Sequence, residues 1–435
     1  MKTSFTPDQL ARPEIAEIDQ ILRKCVHCGF CTATCPTFVL TRDELDSPRG
    51  RIYLIKEMFE NDRPADRETV KHIDRCLTCL SCMTTCPSGV DYMHLVEHAR
   101  SHIAETAERS TVDTTLRKLV AAILPYRRRV RAALVAGFYV RPFANVVGLL
   151  PKVGKPLKAM LKLTGGQLPP RRATDRAGVF KPATAPAVRR RVLMLQGCVQ
   201  PVLRPSINEA AIRLLNKAGV EVVQIAGEGC CGALVHHIGE EQAAREQAAH
   251  NIGLWWRETK EGGGEGLDAI LITASGCGTS VKDYGHLFAG TPIETQAKVI
   301  AALARDVSEY ALTLDLPAPT TPHPARVAYH AACSMQHGQK IVAQPKALLR
   351  AAGYEVVDVA EGHLCCGSAG VYNILQPDLA NGLKARKKGN IALTNAEWVA
   401  TGNIGCIAQL AGGGAPVVHT VELLDWAHGG PAPEA

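Results

Sequence analysis

Cys25-x2-Cys28-x2-Cys31-x3-Cys35-Pro36 is followed, displaced by 51 residues, by Cys76-x2-Cys79-x2-Cys82-x3-Cys86-Pro87. Three thiolates spaced this way wrap one short loop around three irons of a cube, and the fourth cysteine reaches the other cube. This is the spacing of a two-cluster ferredoxin. The expected ligand sets are Cys25, Cys28, Cys31 and Cys86 for one 4Fe–4S cluster and Cys76, Cys79, Cys82 and Cys35 for the second. Pro36 and Pro87 suit the turn after the fourth ligand, where a missing N–H is tolerated. Zinc also binds Cys-x2-Cys, but two copies of a four-cysteine run ending in Cys-Pro fit cubane clusters better. His27 and His72 are expected on the surface or behind the ligands, because cysteine already completes the count.

A further eight cysteines lie in the second half, which repeats itself. Cys198 precedes Cys230-Cys231-Gly232 by 31 intervening residues, and Cys333 precedes Cys365-Cys366-Gly367 by the same number. Each copy adds one more cysteine after a strand-like run, Cys277 and Cys406, on what reads as a glycine-cysteine turn. Four cysteines from three separated segments is a metal-site count, so further clusters or metal ions are expected on Cys198, Cys230, Cys231 and Cys277 and on Cys333, Cys365, Cys366 and Cys406. Zinc and buried free thiols are the alternatives. His236, His237, His330, His337 and His363 lie nearby, but none has a counterpart in the other copy, and none is taken as a ligand.

The elements that must position these thiols follow from the pattern. Ser47-Pro48 is a helix start, and Ile52, Leu54, Ile55, Met58 and Phe59 mark an apolar face after it. A second helix is expected from Tyr92 to Ile103. In the second half, Arg191–Cys198 corresponds to Arg326–Cys333, and Leu214–Val223 to Leu348–Val357. Both read as strand, helix, glycine cap and strand, hence α/β units with parallel sheets and their cysteines at strand ends. The fold class expected is a multidomain mixture of α+β and α/β. An α-helical ferredoxin domain (1–110) precedes a basic helical connector and linker (111–190), then two Cys-Cys-Gly repeats (191–322 and 323–435).

The chain has 435 residues, 46% hydrophobic and 21% charged, enough for a core without disulfides. Aromatics at 5% argue against a stacking surface for single-stranded nucleic acid. No run of eighteen apolar residues predicts a membrane span, and no signal-peptide pattern opens the chain, so a cytoplasmic protein is expected. Residues 101–191 hold 19 Lys/Arg and 4 Asp/Glu, a balance of +15, which leaves −8 for the rest of a chain of net +7. With the apolar stretches Leu119–Leu124 and Val146–Leu150 and a Pro/Ala/Arg-rich linker over 168–188, this segment reads as a membrane-facing or partner-facing surface, or as a solvated connector. No nucleic-acid motif accompanies the charge.

Read as whole words, Arg23-Lys-Cys-Val-His-Cys-Gly-Phe-Cys-Thr-Ala-Thr-Cys-Pro36, Asp46-Ser-Pro-Arg-Gly-Arg-Ile-Tyr-Leu-Ile-Lys56 and Cys76-Leu-Thr-Cys-Leu-Ser-Cys-Met-Thr-Thr-Cys-Pro-Ser-Gly-Val90 are similar to one family. With the two Cys-Cys-Gly repeats, the chain resembles the iron–sulfur subunits of flavin-linked 2-hydroxy-acid dehydrogenases, and among them the glycolate oxidase (glycolate dehydrogenase) iron–sulfur subunit. The resemblance implies an electron-transfer subunit, without catalytic residues of its own, for oxidation of glycolate to glyoxylate. It implies FAD on partner subunits, not on this chain, and quinone or another membrane carrier as acceptor, with possible peripheral contact at the inner membrane. The cysteine spacing is shared with subunits for lactate, other 2-hydroxy acids and glycerol-3-phosphate, and with heterodisulfide reductases. In the last of these the domain ends in Cys-x2-Cys, whereas here Ala274 and Asn403 stand at the first position. That departure weakens the expectation of thiol–disulfide chemistry. A zinc-stabilised assembly platform is the remaining rival.

Overall fold

The computed structural model describes the chain apart from residues 150–153, 164–167, 185–188, 321–323 and 435, and the side chains of 162 and 163. Each N-terminal cysteine run leads into a single helical turn, Phe30–Thr34 in the first and Ser81–Thr85 in the second. Between them helix Pro48–Glu60 begins at the expected residue. Ser47 Oγ accepts from Gly50 N at 3.0 Å, and Pro48 takes the first helical position, where its lost donor costs nothing. Its buried Ile52, Ile55 and Met58 pack against Ile15, Ile18 and Leu22 of helix Pro13–Lys24 and against the helix Tyr92–Thr106. Full burial of each such side chain contributes about 1.5–3 kcal/mol. Three helices sharing one core thus hold the two cysteine loops in a fixed relation.

Among the described residues the second half contains nine strands: β1 Gly178–Phe180, β2 Arg190–Met194, β3 Val220–Gln224, β4 Ala269–Ile272, β5 Ala304–Asp306, β6 Arg326–Tyr329, β7 Glu355–Asp358, β8 Trp398–Thr401 and β9 Val417–His419. One sheet runs β1-β3-β2-β4-β5 and the other β7-β6-β8-β9. Apart from β1, which pairs antiparallel with β3, every pairing is parallel. Without β1 the two orders are the same, so the sequence repeat is a repeat of topology. Central strands such as β4, all of whose residues are buried, have no polar face because helices cover both sides. All eight C-terminal cysteines come after strand ends, at the edge where open α/β sheets build their sites.

Gly232 and Gly367 explain the third letter of Cys-Cys-Gly. Both have left-handed φ, +89° and +90°, and a Cβ there would stand 2.8 and 2.6 Å from the carbonyl oxygens of Ala244 and Ala380. Only glycine allows the cysteine turn to sit this close to the following helix. The two repeats also share a continuous apolar core, with Val192, Ile207 and Leu214 from the first and Val327, Val399 and Val418 from the second.

The connector forms helices Thr111–Ile123, Arg127–Val140 and Gly154–Leu163. The expected linker over 168–188 is not wholly irregular, since it carries β1 as an edge strand. Three residues are too few to show a period, and the strand exists because β3 offers a free edge. Residues 185–188 of that linker, Leu150 of the stretch Val146–Leu150, and the expected repeat boundary at 322 lie outside the described residues. Much of the positive charge of residues 101–191 is used internally. Arg109 and Arg117 clasp Asp74 at 2.6 and 2.8 Å, Arg127 donates to Gly197 O at 2.7 Å, and Arg189 and Arg191 both reach Glu221 at 3.2 Å.

Candidate functional site

Cys25, Cys28, Cys31 and Cys86 line one small cavity, with Cys82 also at its wall. Cys35 lies elsewhere. Its thiol is 3.8 Å from Arg51 Nη1, and Arg51 also feels Cys76. Cys79 and Cys82 both feel the charge of Cys35. The fourth cysteine of each run is therefore found beside the other run. The two loops share a strained backbone: His27 and Gly29 in the first, and Thr78 and Leu80 in the second, all have positive φ. For a residue with a side chain this costs about 1–2 kcal/mol, and it persists where the surroundings fix the turn. Thr78 N, in one of these turns, donates to Cys76 Sγ at 3.4 Å, and Tyr92 Oη, from the helix Tyr92–Thr106, donates to the same sulfur at 3.9 Å.

Buried cations set the charge of this region. Arg51, 1% exposed, donates to His72 O at 2.7 Å and Thr37 Oγ1 at 2.9 Å. Arg100 donates to Cys76 O at 2.6 Å. Burial raises the Cys76 thiol, but the two arginines outweigh it and hold it below the ordinary thiol value. Cys79 and Cys82 lie well above that value, mainly through burial, and Cys31 is pushed up to about 11 for the same reason. Anionic iron–sulfur ligation fits a loop supplied with buried positive charge and N–H donors. His72 is fully buried behind the loop, its Nδ1 2.7 Å from Asp46, which also holds Arg75 at 2.8 Å. His27 is half-buried and packs against Tyr53.

In the first repeat Cys198, Cys230, Cys231 and Cys277 all face a cavity of about 220 Å³. Leu124 and Val130 of the connector and Ile374 and Ile404 of the second repeat close it. Cys277 lies in the first turn of helix Ser275–Lys282, and Cys406 in the first turn of Ile404–Leu410, rather than in the turns expected from sequence. A helix N-terminus favours a thiolate. Bonds from its neighbours Cys198 and Cys231 push the Cys230 thiol well down, while Cys198 and Cys231 are pushed up.

In the second repeat the thiols form a row. Cys333 Sγ is 3.6 Å from Cys365 Sγ, Cys365 adjoins Cys366, and Cys366 Sγ is 3.4 Å from Cys406 Sγ. His330, set aside in the sequence reading, stands at the end of this row. One ring nitrogen and the Cys366 and Cys406 sulfurs all lie within 4.8 Å of one another. Burial pushes its pKa down to about 3, so the ring is neutral. The other histidines are engaged elsewhere or stand apart from this row. His337 meets Thr84 at 2.8 Å and His363 O at 3.1 Å, His236 is 3.6 Å from Glu97, and His237 lines the first repeat's cavity. Arg51, Arg100 and Lys387 are functional neighbours that sequence reasoning missed. Arg51 stands inside the word Asp46–Lys56, which was the available signal.

Comparison with known proteins agrees with this layout. Residues 24–90 match the 4Fe-4S dicluster domain, and residues 192–282 and 327–411 match the cysteine-rich domain. The chain is 37% identical over 431 residues to the glycolate oxidase iron-sulfur subunit of Escherichia coli, covering 98% of this chain and 99% of that one. It is 29% identical to the probable glycolate oxidase iron-sulfur subunit of Bacillus subtilis, over 93% of both chains. Lactate utilization protein A of an Exiguobacterium species is 28% identical over 54% of this chain and 96% of its own length. A hypothetical protein from Helicobacter pylori of solved structure shares the fold at TM-score 0.52 and 9% identity, covering 97% of this chain and 73% of that one. Cysteine runs, repeated sheets and full-length identity converge: the chain belongs to the family of glycolate oxidase iron–sulfur subunits.

Proposed function

We propose that this chain relays electrons from a flavin on partner subunits to a membrane carrier such as quinone, while glycolate is oxidised to glyoxylate on those partners. Glycolate gives up two electrons and two protons, and the chain passes the electrons on singly. Bound at Cys25, Cys28, Cys31 and Cys86, and at Cys76, Cys79, Cys82 and Cys35, 4Fe–4S clusters would supply one-electron carriers. The observation that carries the reading is continuity. Cys79 of the second run lies close enough to Cys333 for their charges to interact, and Thr84 touches His337 of the second repeat. The N-terminal thiols and the C-terminal thiols thus belong to one packed structure. The first repeat's cavity gives Cys198, Cys230, Cys231 and Cys277 room for a further cluster, and the row from Cys333 to Cys406 is a second metal-binding set. Arg51 and Arg100 hold negative charge at the second loop, and the helical core excludes water from it.

The acceptor side is assigned to the connector. Arg127–Val147 is a helical run long and apolar enough to cross a membrane by length and composition, and little of it is buried. Phe138, Tyr139, Phe143 and Val146 are exposed beside Arg128, Arg129 and Arg141. Apolar residues flanked by arginine suit a helix lying in a bilayer interface. The lactate relative keeps another 2-hydroxy acid as the second reading of the substrate. The test is dye reduction. The isolated chain should give none with glycolate and should support it once flavoprotein partners are added. Turnover by the flavin-free chain alone would refute the assignment.

A further inference from the structure

The two Cys-Cys-Gly repeats share a topology, but at two buried positions only the second places a basic side chain beside its thiols. His330 follows β6 where Leu195 follows β2, as the alignment of Cys333 with Cys198 fixes. His330 is 1% exposed, and neither ring nitrogen has a hydrogen-bond partner. A buried imidazole with nothing to bond is costly, and a nitrogen held near two thiols points to a missing ligand. The second difference is Lys387. Counted from the contacts Gly232–Ala244 and Gly367–Ala380, it occupies the place of Asn251. Asn251 bonds the backbone of Gly229 and Cys230, whereas Lys387, 2% exposed, donates to Glu361 O and feels the charges of Cys365, Cys366 and Cys406.

We propose that the second repeat holds a closed, tetrahedral zinc ion on His330, Cys366 and Cys406, whose ligand atoms already lie within 4.8 Å of one another, with the adjoining Cys365 turned in as the fourth ligand, and that the first repeat does not. This rests on the reading above that the C-terminal cysteines bind metal. A tetrahedral ion with zinc–sulfur bonds of about 2.3 Å keeps its thiolates about 3.8 Å apart, near the 3.4 Å between Cys366 Sγ and Cys406 Sγ. Cys365, Cys366 and Cys406 are at most 2% exposed, as a structural zinc site requires and an exchangeable one does not. Three thiolates and a neutral imidazole around a dication leave one negative charge, which Lys387 balances. The first repeat has the four thiols but a leucine in place of the imidazole, an amide in place of the cation, and open space beside them. The zinc would fix the second repeat's cysteine edge against the ferredoxin loops without itself taking electrons.

The test is metal analysis and zinc-edge X-ray absorption on the full chain purified without oxygen. The expected result is about one zinc per chain with one nitrogen and three sulfur neighbours. His330→Leu, which copies the first repeat, should bring zinc below about 0.2 per chain with iron and sulfide unchanged, and His330→Cys should restore it. A wild-type chain without zinc, or a zinc shell of sulfur alone, overturns the proposal even if the leucine variant fails to fold. Cys366→Ser separates the two readings. Loss of zinc supports both, and loss of iron alone overturns zinc while leaving metal binding intact. No change in either metal refutes both.

Discussion

Arg51 is a full positive charge with almost no water, placed between Cys35 and Cys76 and bonded to the Asp46–His72 network. Removing one member of such a network strands the others, at a cost of about 3–5 kcal/mol. Arg51→Met should therefore lower stability by about that amount in anaerobic denaturant titrations. It should also lower the potential of the adjacent cluster, because the lost charge favoured the reduced form. An unchanged midpoint in both measurements would remove Arg51 from the account. Cys35→Ser should perturb the cluster of Cys76, Cys79 and Cys82, and Cys86→Ser that of Cys25, Cys28 and Cys31. Electron paramagnetic resonance reporting damage to each serine's own run would refute the crossed ligation. At this scale the sequence was informative about thiols, since their spacing is local. It held Arg51 only inside a longer word and gave no reason to choose His330 over its neighbours, because their roles depend on residues as far off as Cys35 and Cys406, 16 and 76 positions away.

The elements carry the next prediction. Gly232→Ala and Gly367→Ala each force a Cβ into the backbone of a helix from a left-handed position. Each should cost about 2 kcal/mol or more, read as a lower thermal midpoint, and should loosen the adjacent cysteines. On the connector, Arg128, Arg129 and Arg141 are exposed, whereas Arg127 is tied to Gly197. Replacing the three exposed arginines with glutamine should weaken binding to anionic vesicles, each contributing about 1 kcal/mol, while the complex stays assembled. Loss of co-purification with flavoproteins instead would assign the surface to a partner. Helix Pro48–Glu60 and the repeated strands were legible because caps and apolar periods are written in consecutive residues. β1 was not, because its only cause is a free sheet edge. The first-turn placement of Cys277 and Cys406 was missed because glycine before each cysteine reads as a turn.

For the molecule as a whole, His94 joins the ferredoxin unit to the first repeat. Burial lowers its pKa, but Asp283 at 3.1 Å and Asp91 at 2.8 Å outweigh this and raise it to about 10. The folded protein then holds a proton that the unfolded chain releases near 6.5. The stability this adds is complete below 6.5 and lost as pH rises through about 10. Glu97, raised by burial to about 8, gives a slope of the same sign from 4.5 upward. The thermal midpoint should fall as pH rises from 6.5 towards 10, and His94→Gln should flatten that fall. An equal fall in the variant would contradict it. The division into ferredoxin unit, connector and paired repeats was readable from where the cysteines fall. The core shared between repeats was not, because no sequence period records which apolar faces meet. The central claim is that this chain takes electrons from a flavin it does not itself carry. It is tested most directly by adding glycolate without oxygen and following the iron–sulfur resonance signal. The account predicts that the N-terminal clusters become reduced when flavoprotein partners are present and stay oxidised in the isolated chain. Reduction of the isolated chain, or glyoxylate formed by the complex while those clusters stay oxidised throughout with no acceptor present, would contradict it.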